Sequence, residues 1–171
     1  MTGTGNREPG TGLTPDQQRA VEEFKALRGV EPFGPFIHLL PSPELMNRVG
    51  ALGEYLRYRS ALAPRLSELA ILVTAAHWQQ TFEWQIHAPI AREAGISQPT
   101  IDELWAGAAP SGLAVDQLAL YDLCLELHRD RKPSDATYER AKEELGERGA
   151  VDAVAICGYY ALLAMVLNTH Q

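Results

Sequence analysis

The sequence of 171 residues predicts an all-α fold, a helical bundle of about six to seven helices. Apolar residues recur at helical spacing, as at Leu45, Val49 and Leu52, and no segment alternates polar and apolar residues as a half-buried strand does. Prolines and glycines stand between the apolar segments, where helices begin and end. The content of 46% hydrophobic and 22% charged residues is typical of a soluble globular domain.

The first helix is predicted to begin after Thr14, a residue type that caps helix N-termini, and to end at Gly29. Residues 1–13 are polar and rich in glycine and threonine, so we expect a disordered tail there, because such a segment buries too little apolar area to offset its ordering entropy. A single helical domain is predicted over residues 14–171, a length sufficient for one hydrophobic core.

Prolines and glycines also set the limits of the remaining helices. Residues 30–43 contain four prolines, so this segment cannot form one regular helix. A long apolar segment begins at Pro64 and stops at Gly95. The other predicted helices begin at Pro43 and cover about residues 97–107, 114–130, 135–147 and 150–168, with Gly149 separating the last two.

Charge and composition exclude several classes of function. A formal net charge of −7 argues against a nucleic-acid partner, because phosphate binding needs a basic surface. The longest apolar run, 153–167, is shorter than the about 20 residues of a membrane span, and the N-terminus lacks an apolar leader, so we expect a cytoplasmic protein with no membrane partner. Cys124 and Cys157 form neither a CxxC motif nor a metal-binding spacing, and they imply no disulfide framework.

The segment Pro64–Gly95 is the most informative part of the sequence, because it places ionisable residues in an otherwise buried helical pattern. Those residues are Glu68, His77, Glu83 and His87. Buried acids and imidazoles are costly unless they pair or perform chemistry. Glu83 and His87 are four residues apart, on one helix face, which fits either a general acid/base pair or an ordinary surface ion pair.

Glu68 lies nineteen residues before His87, about 28 Å away along an unbroken helix. The two residues can cooperate only if the chain reverses between them or a second subunit brings them together. The stretch Trp78–Thr81 is the predicted break, with Thr81 as the cap of the following helix.

Several runs resemble the carboxymuconolactone decarboxylase family, which includes the alkyl hydroperoxidase D-like proteins. These are RLSELAIL from Arg65, FEWQIHAPIA from Phe82, AGIS from Ala94, SPEL at 42–45 and the last helix around 158–168. The resemblance covers about residues 30–168. It implies an alkyl hydroperoxidase D-like helical fold, assembly into homo-oligomers (trimer or hexamer), and no bound cofactor.

The peroxidase branch of that family resembles E-x11-C-x2-C-x3-H, in which the two cysteines perform the redox step. Glu68 and His87 match its outer positions, but Gln80 and Glu83 stand at the cysteine positions. Neither side chain can form a thiolate or a disulfide. Thiol peroxidase chemistry by that motif is therefore disfavoured.

The remaining acid/base site resembles the decarboxylase side of the family. This resemblance implies a cofactor-independent lyase acting on a small, anionic organic acid or lactone, with His87 as proton donor, Glu83 as its orienting partner and Glu68 in the same site. The candidate substrate-binding residues are Arg65, with Arg57 as an alternative cation, His77, Trp84 and His38, and no metal is expected.

Each of these binding candidates also has an ordinary structural interpretation. Arg65 suits a surface charge, Trp84 suits core or interface packing, and His38 suits a satisfied half-buried histidine. Two other functions stay open at this point. One is a hydroperoxide reductase, disfavoured by the absent CxxC, and the other is a non-catalytic, oligomeric ligand-binding protein.

Overall fold

The computed structural model describes residues 12–170 and confirms the all-α prediction. Within these residues the chain forms eight helices and no strand, so the predicted number of six to seven was slightly low. The helices are α1 (Pro15–Arg28), α2 (Pro35–Leu39), α3 (Pro43–Tyr58), α4 (Pro64–His77), α5 (Thr81–Glu93), α6 (Gln98–Trp105), α7 (Val115–Asp130) and α8 (Asp135–Asn168). Of the predicted disordered tail, residues 1–11 lie outside the described residues.

The chain divides into two compact units, Met1–Ala51 and Leu52–Gln171, and the boundary between them falls within α3. In the first unit, the rings of Phe24 and Phe36 pack with centroids 4.7 Å apart. Gly50 allows this packing, because a Cβ at this position would lie 2.9 Å from the Phe24 ring. The predicted cap is confirmed: the Thr14 hydroxyl accepts a hydrogen bond from the backbone N–H of Gln17.

In the second unit, α4 is the central helix, and it contacts α5, α6, α7 and α8. Ten consecutive residues of α4, 66–75, are buried. A helix that is apolar on nearly every side must be surrounded by other elements, which explains this position. Any polar side chain on that stretch of α4, including that of Glu68, is therefore held inside the protein.

A buried carboxylate holds the turn between α3 and α4 against α8. Asp152 accepts a hydrogen bond from the backbone N–H of Ala61 at 2.7 Å and one from the Tyr55 hydroxyl at 3.4 Å. These contacts satisfy a carboxylate that is only 5% exposed. The start of α4 is thus fixed relative to α8.

The long helix α8 is interrupted at Gly146 rather than at Gly149, where the sequence predicted the break. Gly146 has φ 74° and ψ 159°, a conformation that is essentially restricted to glycine. Gly149 is needed for packing instead, because an added Cβ would lie 3.1 Å from Leu145 and 3.3 Å from Leu62.

By length and composition, α8 is the one helix among the described residues that could cross a membrane. However, 56% of its most apolar stretch is buried inside the protein, as in the core helix of a folded domain. Its inner face carries the buried residues Ile156, Tyr160 and Leu163, which pack among the other helices of this unit.

Candidate active site

The chain reverses between α4 and α5 within the predicted stretch. The helix α4 ends at His77, Gln79 adopts a positive φ of 50°, and α5 begins at Thr81. No glycine marks this turn. The cap is Gln80 rather than the predicted Thr81, since the Gln80 side chain accepts a hydrogen bond from the backbone N–H of Phe82 at 2.9 Å.

Gln80 is fully buried and joins two helices. Its amide nitrogen donates a hydrogen bond of 2.6 Å to the side-chain oxygen of Asn168 at the end of α8, while its amide oxygen caps α5. A buried amide with both ends satisfied is a strong positioning element. The side chain that stands at the first cysteine position of the family motif therefore fixes the start of α5 to α8.

This reversal brings Glu68 of α4 against His87 of α5. The His87 Nδ1 and Glu68 Oε2 atoms are 2.7 Å apart, and both side chains are less than a tenth exposed. When Glu68 is ionised, its carboxylate only accepts hydrogen bonds, and the proton of this contact then lies on Nδ1. Glu68 thus orients the ring and leaves Nε2 as the nitrogen available for proton transfer.

The Nε2 atom of His87 faces two further groups. The hydroxyl of Tyr160 on α8 lies 3.3 Å away, within hydrogen-bond range, and the two rings meet edge to face at 88°. Oε2 of Glu83 lies 3.6 Å away, which is an electrostatic contact rather than a hydrogen bond. Burial raises the pKa of Tyr160 well above its ordinary value, so its phenol keeps its proton.

Glu83 is 4% exposed and lies in the first turn of α5. Burial raises the pKa of its carboxyl group above the ordinary value, and the charges of His87 and Arg57 offset this effect only in part. Glu83 therefore holds a proton at a higher pH than an exposed glutamate does.

Together these side chains form a buried cluster of ionisable groups. The His87 imidazole has the Glu68 carboxylate at Nδ1, and it has the Tyr160 phenol and the Glu83 carboxyl group at Nε2. Arg57, which is half-buried, supplies a positive charge that acts on both Glu83 and Tyr160. Among the described residues, no group of three or more His, Cys, Asp or Glu is arranged to hold a metal ion.

Tyr160 was not predicted as a site residue. The sequence feature that could have indicated it was a pair of tyrosines, Tyr159 and Tyr160, within an otherwise apolar helix. A buried phenol usually requires a hydrogen-bond partner, so this pattern indicates a polar contact inside the core. The sequence gives no indication that the partner is His87, because the two residues are 73 positions apart.

The structure does not bring Arg65 to the imidazole. Its guanidinium pairs with both carboxylate oxygens of Asp116 on α7, one of them at 3.1 Å. This ion pair is partly exposed, with 37% of the Arg65 side chain and 22% of the Asp116 side chain accessible. Of the two arginines considered from the sequence, Arg57 is the one whose charge acts on Glu83.

Of the other predicted binding residues, Trp84 lies three residues before His87 on α5, on the same face of the helix. His77 is nine residues after Glu68 on α4, about 14 Å along the helix, and its ring stacks on His128 at 4.8 Å. The Trp84 ring packs on that of Trp105 at 4.7 Å. His38 is half-buried on α2, in the other unit of the chain.

Comparisons with known proteins find a similarity to one family and to one solved fold. The sequence model of the carboxymuconolactone decarboxylase family matches residues 43–120, which contain Glu68, Glu83 and His87. The resemblance noted in the sequence is thereby confirmed over these 78 of the 171 residues, which are similar to this family.

The fold is also that of a solved structure, described as an alkylhydroperoxidase AhpD core, an uncharacterized peroxidase-related protein from Ralstonia eutropha JMP134. It aligns with a TM-score of 0.72 over 92% of this chain and 84% of that chain, at 21% sequence identity. At this identity the likeness shows the fold alone. No curated protein matches this chain in sequence.

Proposed function

We propose that this protein is a cofactor-independent lyase that removes carbon dioxide from a small, anionic organic acid or lactone by acid/base chemistry. The observation that carries the proposal is the buried series Glu68–His87–Tyr160, with Glu83 beside the reactive nitrogen. The absence of cysteine at positions 80 and 83 favours proton transfer over thiol chemistry at this site.

The proposed step needs one cation and one proton donor. Arg57 binds the substrate carboxylate, and a conjugated carbonyl of the substrate accepts the electron pair as the bond to carbon dioxide breaks. The imidazolium of His87 then gives its Nε2 proton to the carbon that gained electron density. Glu68 keeps the ring in place through Nδ1, and the net reaction consumes one proton from solvent for each carbon dioxide released.

The charges of the site predict that binding of an anionic ligand is coupled to the uptake of a proton. The site already holds two carboxyl groups, those of Glu68 and Glu83, and a bound carboxylate adds a further negative charge beside them. Glu83 relieves this charge at the lowest cost, because burial already favours its neutral form. Proton uptake on binding a carboxylate ligand is therefore expected, and calorimetry in buffers of different ionisation enthalpy measures it.

The experiment is turnover of a panel of lactone acids and conjugated oxo acids in D2O, followed by carbon dioxide release and by mass spectrometry of the product. The proposal requires that the product carry one solvent deuterium on the carbon that lost carbon dioxide. His87→Gln should abolish turnover, whereas Arg92→Gln, an exposed substitution on the same helix, should not. Equal turnover by His87→Gln, or binding of acids without any turnover, would overturn it.

We further infer that the protein is a homo-oligomer, a trimer or hexamer, with α8 in the interface. Four apolar side chains form one exposed face of this helix, Val151, Val154, Leu162 and Met165, with exposures of 54%, 37%, 37% and 51%. An apolar face of this kind is typical of subunit contacts. Light scattering of the native protein tests the inference, and Met165→Glu should shift the mass to that of a monomer; a monomeric native protein would contradict it.

A further inference from the structure

A small cavity lies at the C-terminal end of α4, and the residues of the Glu68–His87 site do not line it. Its volume is about 160 Å³, and its walls come from the last turns of α4, from the end of α6 with the segment that follows, and from α7. Among the described residues that line it there is no Lys, Arg, Asp or Glu. A ligand of this cavity therefore meets no permanent charge.

The cavity is apolar at its floor and polar at its rim. Val73 and Leu104 are buried, whereas Tyr121 is half-buried and His77 is exposed. A ligand that fits this gradient has an apolar body and one polar group directed towards the rim. The volume is close to that of cavities of about 150 Å³ that admit benzene, so one six-membered ring fits.

The two polar groups at the rim are uncharged near neutral pH. Partial burial lowers the pKa of the His77 imidazole, and the neighbouring His128 lowers it further. Burial and then the charge of Asp122 raise the pKa of the Tyr121 phenol. Within residues 12–170, neither His77 nor Tyr121 has a hydrogen-bond partner, so both can bond to a ligand. These groups favour a neutral ligand over an ion.

One wall of the cavity is a pair of stacked imidazoles that is held in place. The Thr74 hydroxyl donates its single proton to the carbonyl oxygen of Ala70 at 2.8 Å. The 2.9 Å contact between Thr74 Oγ1 and His128 Nε2 therefore uses a proton of the imidazole, which fixes that ring. The His77 ring stacks on it, with centroids 4.8 Å apart and planes 18° apart. Flat rings pack well against such a wall.

The segment after α6, which forms another wall, is also anchored. The backbone N–H of Ala108 donates to the carbonyl oxygen of Glu103 at 2.9 Å, and that of Ser111 donates to the Glu103 carboxylate at 2.6 Å. The Thr100 hydroxyl donates to the carbonyl oxygen of Ser111 at 3.2 Å. A cavity whose walls are fixed before binding loses little conformational entropy when a ligand enters.

We propose that this cavity binds one small, neutral aromatic molecule that carries a single hydroxyl group and has the size of phenol. Its ring lies on the apolar floor at Val73 and Leu104, and its hydroxyl group forms hydrogen bonds with Tyr121 and His77 at the rim. The proposal does not depend on the decarboxylation proposed above, because the Glu68–His87 site contributes no side chain to this cavity.

The test is calorimetric titration of the native protein with phenol at about pH 7.5, where neither rim group is ionised. We expect one saturable site per chain with a Kd on the order of 0.1–1 mM. Benzene, which has the ring without the hydroxyl group, should bind roughly tenfold more weakly. Benzoate should also bind at least about tenfold more weakly, because no cation in the wall compensates its charge.

Two kinds of variant locate the ligand. Ala76→Leu fills the cavity from its wall and should abolish phenol binding, whereas Ala106→Leu, an exposed substitution outside the lining, should leave it unchanged. Tyr121→Phe and His77→Phe keep a ring and remove the polar group. Each should weaken phenol binding roughly threefold to tenfold and leave benzene binding unchanged.

Amide chemical shifts in the presence of phenol give an independent location. The largest changes should fall in residues 73–77, 104–108 and 121–128, which contain the lining. Changes centred on His87 and Tyr160 would instead assign the ligand to the proposed active site and would overturn the present proposal.

Four further results would overturn it. The first is no saturable binding of phenol up to about ten times the expected Kd. The second is benzene binding at least as tight as that of phenol, which would make the cavity purely apolar. The third is unchanged phenol binding by an Ala76→Leu variant with native thermal stability. The fourth is a loss of less than about twofold in both Tyr121→Phe and His77→Phe, which would remove the polar contacts at the rim.

Discussion

Replacing Glu83 by glutamine should make the folded protein more stable at about pH 8, although the residue belongs to the proposed active site. Its carboxyl group is 4% exposed, and its contact with His87 Nε2, at 3.6 Å, is too long for a good hydrogen bond. Burial consequently raises the pKa of Glu83 above the value of 4.5 for an ordinary glutamate. Glutamine keeps the shape of the side chain and removes the cost of a buried charge.

The sign of the effect follows from proton binding. Between the ordinary pKa and the raised pKa of the folded state, the folded protein holds a proton that the unfolded chain has lost. Glu83 therefore costs no stability below its ordinary pKa and costs stability increasingly as pH rises through that window. The gain from Glu83→Gln should amount to about 1.4 kcal/mol for each pH unit by which the pKa is raised.

The assay is urea denaturation of both proteins at about pH 4 and about pH 8, at one protein concentration, so that subunit association is held constant. The difference in unfolding free energy between variant and native protein should be near zero at the lower pH and should favour the variant at the higher pH. Glu143→Gln, an exposed substitution on α8, is the control and should show little change at either pH. A Glu83→Gln variant that is less stable than the native protein at about pH 8 would refute the reasoning, since it would show that His87 and Arg57 more than compensate the buried charge.

The remaining predictions concern packing and hydrogen bonds. Tyr160→Phe should cost about 0.5–1.5 kcal/mol of stability in thermal denaturation, because it deletes one buried hydrogen bond and keeps the ring; no loss would mean that the 3.3 Å contact is not formed. Gln80→Ala and Asn168→Ala should each destabilise the fold, and a double-mutant cycle should give a coupling of about 0.5–3 kcal/mol; strictly additive effects would contradict the 2.6 Å hydrogen bond between them. Gly50→Ala should cost about 1–3 kcal/mol, because the added Cβ would lie 2.9 Å from the Phe24 ring, and a neutral result would show that the ring can move away freely.

Short sequence features, such as capping residues and glycines, predicted most of the helix limits. Helix starts at Thr14 and Ser97 and the stop at Gly29 each depend on the chemistry of one or two residues, and all three are found in the structure. The break before α5 was located by a geometric requirement, that Glu68 and His87 could not cooperate along one straight helix. Its cap at Gln80 could not be predicted, because glutamine is an unusual capping residue and its role depends on a partner at the end of α8.

The site was predictable only where its members share a helix or a sequence motif. Glu83 and His87 meet through the four-residue spacing of α5. The positions of Tyr160 and Arg57, and the contact between Cys124 and Cys157, result from the packing of α3, α7 and α8. No local sequence pattern encodes those contacts. Arg65 shows that closeness to the motif in sequence does not place a residue in the site. Its guanidinium pairs with the carboxylate of Asp116, 51 positions away.

Gly146 divides α8 into two parts that need not melt together. Helix formation propagates through successive residues of helical conformation, and the φ of 74° at this glycine interrupts that succession. The part before it is largely polar and partly exposed, while the part after it is held on its inner face by Tyr160 and its neighbours. Amide hydrogens before residue 146 should therefore exchange through a local opening of lower free energy than those after it, and the turns of α8 that carry Cys157 and Tyr160 should exchange only with the rest of the core.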